Sequence, residues 1–497
     1  MTGMQATARQ HAPSDNRGQI WNGPYIWNGP YILRNWMYAW AALVALAWFT
    51  PGSFGLAICG GIALHGLRGS RRSVEALGML AFLIVLGKTS ISLGRWVVLF
   101  AVFGRMVWDG VFAGKGMPRV GYMLLVFFAV VLPLSVVSST FPLVSGLKLT
   151  TFTLGTLVTV TGFYRTRHLA DYWLSWLFTL GAFILLASLP LYVLPGGYST
   201  NGVGFQGILT HPQTFGPVVA AITALMTGLY FFRQRTSWLI LVCVGVGVAG
   251  MYLSLSRTSL LAFLLAGALT TALGFSLKPD TWAVDLGRTL VRPTVMLGVL
   301  TALALVAMQW TSIQADLQAF LAKDSQSASL VQALEESRGG LMDQSMANFR
   351  EKPLTGIGFG APSDPVRFAR ELERGPYGIP LSASVEKGFM PTAVLEETGL
   401  IGALLTIALL LFLFMPTVQH PDPTLFWMMG AALFINFGEM VFFSIGGMGF
   451  FLWFVMAFAH VAALREPRSS ARPAPAQPPP RARAPVPAQR QAQGGGR

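Results

Sequence analysis

Cysteine is almost absent from this chain of 497 residues: Cys59 and Cys243 are the two that occur. Both stand in apolar segments far apart in sequence, which excludes a disulfide framework and a cysteine-based metal site. Charge is scarce too. Only 11% of the residues are charged, against about 25% in a typical soluble domain, while 53% are hydrophobic. A single globular core cannot hide that much apolar surface, so the chain reads as a polytopic membrane protein. The six histidines are scattered, and none is spaced with a second histidine or a carboxylate as a metal site requires. No Walker loop occurs. ATP hydrolysis is therefore not expected, no metal or cofactor is implied, and any chemistry must draw on an already activated substrate. No cleavable signal peptide is expected in the first 31 residues, which are polar with Gly and Pro.

What is abundant is long apolar sequence. A membrane span needs about 20 apolar residues, and roughly fourteen candidates lie near 32–50, 53–67, 74–93, 96–112, 121–140, 147–163, 170–194, 213–232, 237–255, 258–276, 293–309, 392–415, 424–440 and 444–463. The expected fold is all-α, with about 12–14 transmembrane helices. The net charge of +14 is distributed as a topology signal rather than a nucleic-acid footprint. Threading the spans alternately puts "RGSRR" (68–72), "KGMPR" (115–119), "RTRH" (165–168), "RQR" (233–235), the 278–292 connection and the tail on one side. By the positive-inside rule that side is the cytoplasm.

The domain plan follows. Residues 1–31 form a cytoplasmic N-terminal segment, within which "WNGPYIWNGPYI" reads as an interfacial aromatic anchor or, preferably, a local duplication. Spans fill 32–309 and 392–463. Between them, residues 310–391 form one long periplasmic loop with short helices, too long for a bare connection and so expected to be functional. Residues 464–497 are Pro/Ala/Arg low-complexity sequence, read as a disordered basic cytoplasmic tail.

Four constellations fall on the outer face. In "GMYLSLSRTSLLAFLLAG", Arg257 lies midway along an apolar run of about 40 residues that must make two spans, so it sits at the outer water boundary. With Ser256, Thr258 and Ser259 beside it, at the start of the next helix, the cluster suits a phosphate; a snorkelling arginine on a lipid headgroup is the plainer alternative. In the long loop, Arg338 precedes two glycines, and a guanidinium fork matches phosphate oxygens. The following "PLTGIGFG" has G-x-G-x-G spacing without the strand-turn-helix setting of a dinucleotide site, which favours a tight turn. His211 in "NGVGFQGILTHPQTFG" fits the beginning of a helix better than a catalyst. Glu396 and Glu397 in "EKGFMPTAVLEETGLIG" mark either a water boundary or a functional acid pair.

In order, "GFQGILTHPQTFG", "LSLSRTSLLAF", "SRGG…ANFREKPLTGIGFG" and "LEETGLIGALL" resemble the O-antigen ligase and O-antigen polymerase family of bacterial envelope enzymes, over roughly residues 200–415. The resemblance implies a metal-independent glycosyltransferase of the C type in the inner membrane. It would take glycan from an undecaprenyl-diphosphate carrier at the periplasmic face, beside the flippase and chain-length partners of an assembly pathway. It also implies that Arg257 and Arg338 hold the diphosphate, with Ser256 and Thr258 alongside. Two cations there are chemically apt, because negative charge develops on the leaving diphosphate as the glycosidic bond breaks. His211, Gln213, Arg350 and Lys387 are further substrate-binding candidates.

Two departures shape the functional expectation. Ligases of the family carry a histidine shortly before E-x-G, thought to activate the acceptor; this chain has "VEKGFM" there, with Glu386 as the nearest general base and Glu397 as a second catalytic candidate. The arginine expected ahead of "HP" is replaced by the stretch Val203 to Gln206. Polymerisation of repeat units into O-antigen or exopolysaccharide is therefore favoured over ligation to lipid A core. A lipid-linked oligosaccharide flippase is the competing class, but it would show internal repeats and charges near the midplane.

Overall fold

The computed structural model describes residues 29–49, 54–87, 91–111, 116–199, 204–233, 237–277, 279–293, 295–296, 339–371, 373–374, 380–382 and 387–464. The described residues form a helical bundle. Its elements are α1 (Gly29–Phe49), α2 (Gly55–Leu67), α3 (Ser70–Leu86), α4 (Ser92–Trp108), α5 (Arg119–Ser138), α6 (Pro142–Arg165), α7 (Ala170–Ser188), α8 (Pro212–Phe231), α9 (Trp238–Leu253), α10 (Arg257–Leu277) and α11 (Pro279–Leu290). Then follow α12 (Gly340–Glu351), α13 (Pro365–Glu371), α14 (Met390–Gln419), α15 (Pro423–Phe434) and α16 (Gly449–Ala463). One small antiparallel ribbon, β1 (Glu373–Arg374) with β2 (Pro380–Ser382), is the strand content among the described residues. Among the described residues, six helical segments are long and apolar enough to cross a membrane, and five shorter apolar helices accompany them. The span expected at 293–309, the N-terminal segment 1–31 and the basic tail 464–497 lie outside the described residues, apart from 29–31, 293, 295, 296 and 464.

The burial pattern is that of a protein solvated by lipid. Every residue of α16 is buried, as is nearly all of α8, and a helix apolar all round belongs in the interior. Around them, α10 leaves Leu261, Leu264, Leu265 and Leu269 exposed, and α14 leaves Leu404, Ile407 and Leu411 exposed. Such stripes are tolerable where the surrounding solvent is apolar. Small residues bring the inner helices together: a methyl group on Gly181 of α7 would meet Ile222 Cγ2 of α8 at 2.5 Å, the close approach on which helix packing in lipid depends.

Hydrogen bonds sort the loops into two ends. At one, Ser70 Oγ donates to Asp109 Oδ2 at 3.0 Å, Arg105 donates to the Leu67 carbonyl and Arg165 donates to the Asp109 carbonyl. The arginines of 68–72, 105 and 165 gather there. At the opposite end, Thr210 N–H donates to the Val85 carbonyl, Phe205 N–H to the Leu253 carbonyl, and Phe359 N–H to Ser135 Oγ. The motif-bearing loops gather at this second end.

Candidate functional site

The arginine turn owes its shape to one strained residue. Leu255 has φ +54°, a left-handed conformation rare for a branched side chain, and it reverses the chain between α9 and α10. Ser254 Oγ donates to the Met251 carbonyl, and Ser256 and Ser259 hydroxyls bond each other at 2.6 Å. Both Ser256 and Ser259 are buried, whereas Arg257 and Thr258 are half-buried. Gly216 of α8 lies against Ser256 and Ser259, and Gly438 lies against Thr258. The turn is thus wedged between the start of α8 and the 438–447 loop.

At the start of α8, His211 is the N-cap: its Nδ1 accepts from Gln213 N–H at 3.2 Å, and Pro212 occupies the first helical position. His211 and Gln213 are both exposed, so they remain available to a ligand. Arg350 is exposed in the last turn of α12. Arg338 and Glu386 lie outside the described residues.

Lys387, Glu396 and Glu397 come together in the interior. Lys387 Nζ is 2.6 Å from Glu396 Oε2 and 4.0 Å from Glu397 Oε1, with all three side chains buried. Glu396 also accepts from Ser345 Oγ at 2.8 Å and Asn348 Nδ2 at 2.6 Å, both on α12. Glu397 Oε2 accepts from the Gly360 amide at 2.7 Å, and Lys148 Nζ of α6 donates to the Gly360 carbonyl at 2.8 Å. Buried charges persist when each is paired and hydrogen-bonded, and this cluster ties α6, α12 and α14 to the glycine loop.

The span expected at 392–415 is interrupted. Gly399 has φ +60° and ψ −167°, so α14 is two helices meeting at a break. In a continuous helix the Leu400 and Ile401 amides would donate to the Glu396 and Glu397 carbonyls. Here they donate instead to the Pro353 and Leu354 carbonyls, and the Glu396 and Glu397 carbonyls accept from the Ile357 and Gly358 amides. The loop exchanges hydrogen bonds with the break one for one. Non-helical backbone at membrane depth is tolerated where protein satisfies it in this way. The G-x-G-x-G loop is consequently no phosphate cradle: the amides from Gly356 to Ala361 donate in turn to Lys352 O, Glu396 O, Glu397 O, Ser135 Oγ, Glu397 Oε2 and Gly358 O.

Two cations at this end escaped the motif reading, Lys148 and Arg95. The Arg95 guanidinium lies against Gly446 and its Nε has no hydrogen-bond partner among the described residues. The available signal was a basic residue within the first two turns of each of two apolar helices, α4 and α6, which marks a functional or structural site by default. Among the described residues no group of three His, Cys, Asp or Glu side chains is placed to hold a metal ion.

Bundle and site together define a polytopic helical membrane protein with a broken helix and a cluster of charges at one end. Residues 239–407 of the chain match the family model described as O-antigen ligase, in agreement with the resemblance drawn from the motifs. That match runs from α9 through the arginine turn to just past the break in α14. It supports glycan transfer in the membrane as the general function. No curated protein matches the chain.

Proposed function

We propose that this protein is a metal-independent glycosyltransferase of the bacterial inner membrane that polymerises undecaprenyl-diphosphate-linked repeat units at the periplasmic face. The observation that carries the reading is the gathering of the arginine turn, the His211 helix start, the glycine loop and the broken helix at one end, away from the arginine-rich loops. Arg257 is the cation that receives the leaving diphosphate, with Arg338 as its partner and Thr258 beside it. Glu386 is the base that takes the proton of the acceptor hydroxyl. Glu397, enclosed against Gly360, serves the site by holding the loop. The stretch "VEKGFM", without a histidine, favours a second repeat unit over lipid A core as acceptor. Flippase and chain-length proteins of the same pathway are the proposed partners.

Polymer formation from purified carrier-linked repeat unit tests the clamp. Arg257→Lys is expected to fail nearly as badly as Arg257→Ala, by about 10²-fold or roughly 3 kcal/mol, because a point charge cannot reproduce a planar fork of donors. A snorkelling arginine would be replaced by lysine without loss. Full activity of Arg257→Lys and Arg338→Lys would therefore remove the clamp.

The proposed orientation has its own test. Compartment reporters fused at Ser325 and Ala488 are expected to report opposite sides of the membrane, periplasm for the first and cytoplasm for the second. The same compartment for both would overturn the placement of the site.

A further inference from the structure

The end of the bundle remote from the proposed active site holds a second polar feature that glycan transfer does not use. A cavity of about 410 Å³ opens between α1, the α2–α3 link and α7, within the size range of small-ligand sites. Its floor is Glu75, which is buried and engaged at both oxygens: His65 Nε2 is 2.8 Å from Oε2, while Arg71 Nε is 3.2 Å from Oε1, to which Tyr172 also donates its hydroxyl. Trp36 Nε1 donates to Tyr172 Oη at 3.2 Å, which fixes both rings as walls.

Around this floor the charges do not balance. Three guanidinium groups, of Arg68, Arg71 and Arg72, line the cavity against one carboxylate. Arg71 is committed to Glu75, but the guanidinium groups of Arg68 and Arg72 have no ion-pair or hydrogen-bond partner among the described residues. Arg71 and Arg72 also stand in the first turn of α3, which contains no acid. Cations at a helix N-terminus oppose the helix dipole, whereas an anion there is stabilised. A negative group held by Arg68 and Arg72 over the start of α3 removes both mismatches.

We infer that this cavity binds a phosphate ester, with Arg68 and Arg72 as the recognising groups. Guanidinium forks match phosphate oxygens bidentately, and a basic pocket between membrane helices suits an anionic lipid headgroup. The Trp36 and Tyr172 rings give it one amphipathic wall for the glycerol region. A lipid and a soluble phosphate ester share this chemistry, and the experiment separates them.

The full-length protein, purified and stripped of lipid, is examined by native mass spectrometry with phosphatidylglycerol, phosphatidylcholine or inorganic phosphate added. Phosphatidylglycerol is expected to bind in preference to phosphatidylcholine, and the Arg68→Gln/Arg72→Gln variant is expected to lose that preference by about tenfold or more. Arginine-dependent binding of inorganic phosphate without lipid binding assigns a soluble ester as the ligand. Equal retention of both lipids by the wild type, together with no arginine-dependent phosphate binding, overturns the inference, as does undiminished preference in the variant. Matching melting midpoints exclude misfolding, and a variant that fails to fold is replaced by Arg68→Gln alone.

Discussion

Gly399→Ala is expected to leave little folded protein in the membrane. At φ +60° and ψ −167° the residue occupies a region open essentially to glycine, where another side chain costs about 1–3 kcal/mol in strain. Space adds to the cost, since a Cβ there would collide with the backbone carbon and oxygen of Leu354. Backbone cannot rotate away as a side chain can, so the loop would have to withdraw. Withdrawal breaks the four reciprocal bonds between residues 353–358 and 396–401, and each buried group left unpaired costs about 1–3 kcal/mol. The sum exceeds the margin of many folded proteins, about 5–15 kcal/mol. Gly104→Ala is the control: nothing lies within 4 Å of a Cβ there, and alanine in a helix is favoured over glycine by up to about 1 kcal/mol. Size-exclusion profiles and melting midpoints of the two variants decide the matter. A normal yield and midpoint for Gly399→Ala would mean that the break is not built on glycine.

The contrast between these glycines shows where sequence reading reached its limit. Apolar runs located the helices well, because a chain solvated by lipid has to declare its spans by composition. The order of the motifs also placed the arginine turn and the region around "LEETG". The break at Gly399 was hidden, since one glycine within an apolar run is ordinary in membrane helices. Its meaning lies in hydrogen bonds to "PLTGIGFG", about 40 residues earlier, and no local pattern announces such an exchange. The same reason explains Glu396 and Glu397. Adjacent acids at the end of a span suggest a water boundary, yet Ser345, Asn348, Gly360 and Lys387 arrive from other segments to enclose them. Lys148 and Arg95 were legible as cations near the start of apolar helices, but only the fold shows which end of the bundle they share.

That enclosure leads to a second large effect, in which Lys387 serves as a brace or as a substrate contact with different consequences. Lys387→Met removes the cation beside Glu396 and Glu397 and leaves two carboxylates buried without it. Breaking a buried pair from one side costs about 3–5 kcal/mol, so a strong fall in melting midpoint and in membrane level is expected. Adding Glu396→Gln removes the stranded charge while keeping the side chain's shape and its ability to bond Ser345 and Asn348. The double variant Lys387→Met/Glu396→Gln should therefore be more stable than Lys387→Met alone, a coupling in the range of about 0.5–3 kcal/mol found for directly interacting residues. Activity follows stability in this case, because the ion pair acts by holding α12 and the glycine loop against the break. A lysine that instead contacts the glycan or diphosphate gives the opposite pattern: Lys387→Met would fold normally, and both variants would stay inactive at full membrane level. Measuring midpoint and polymer formation on the same preparations separates the two, and a normal midpoint for Lys387→Met would transfer Lys387 from the brace to the substrate.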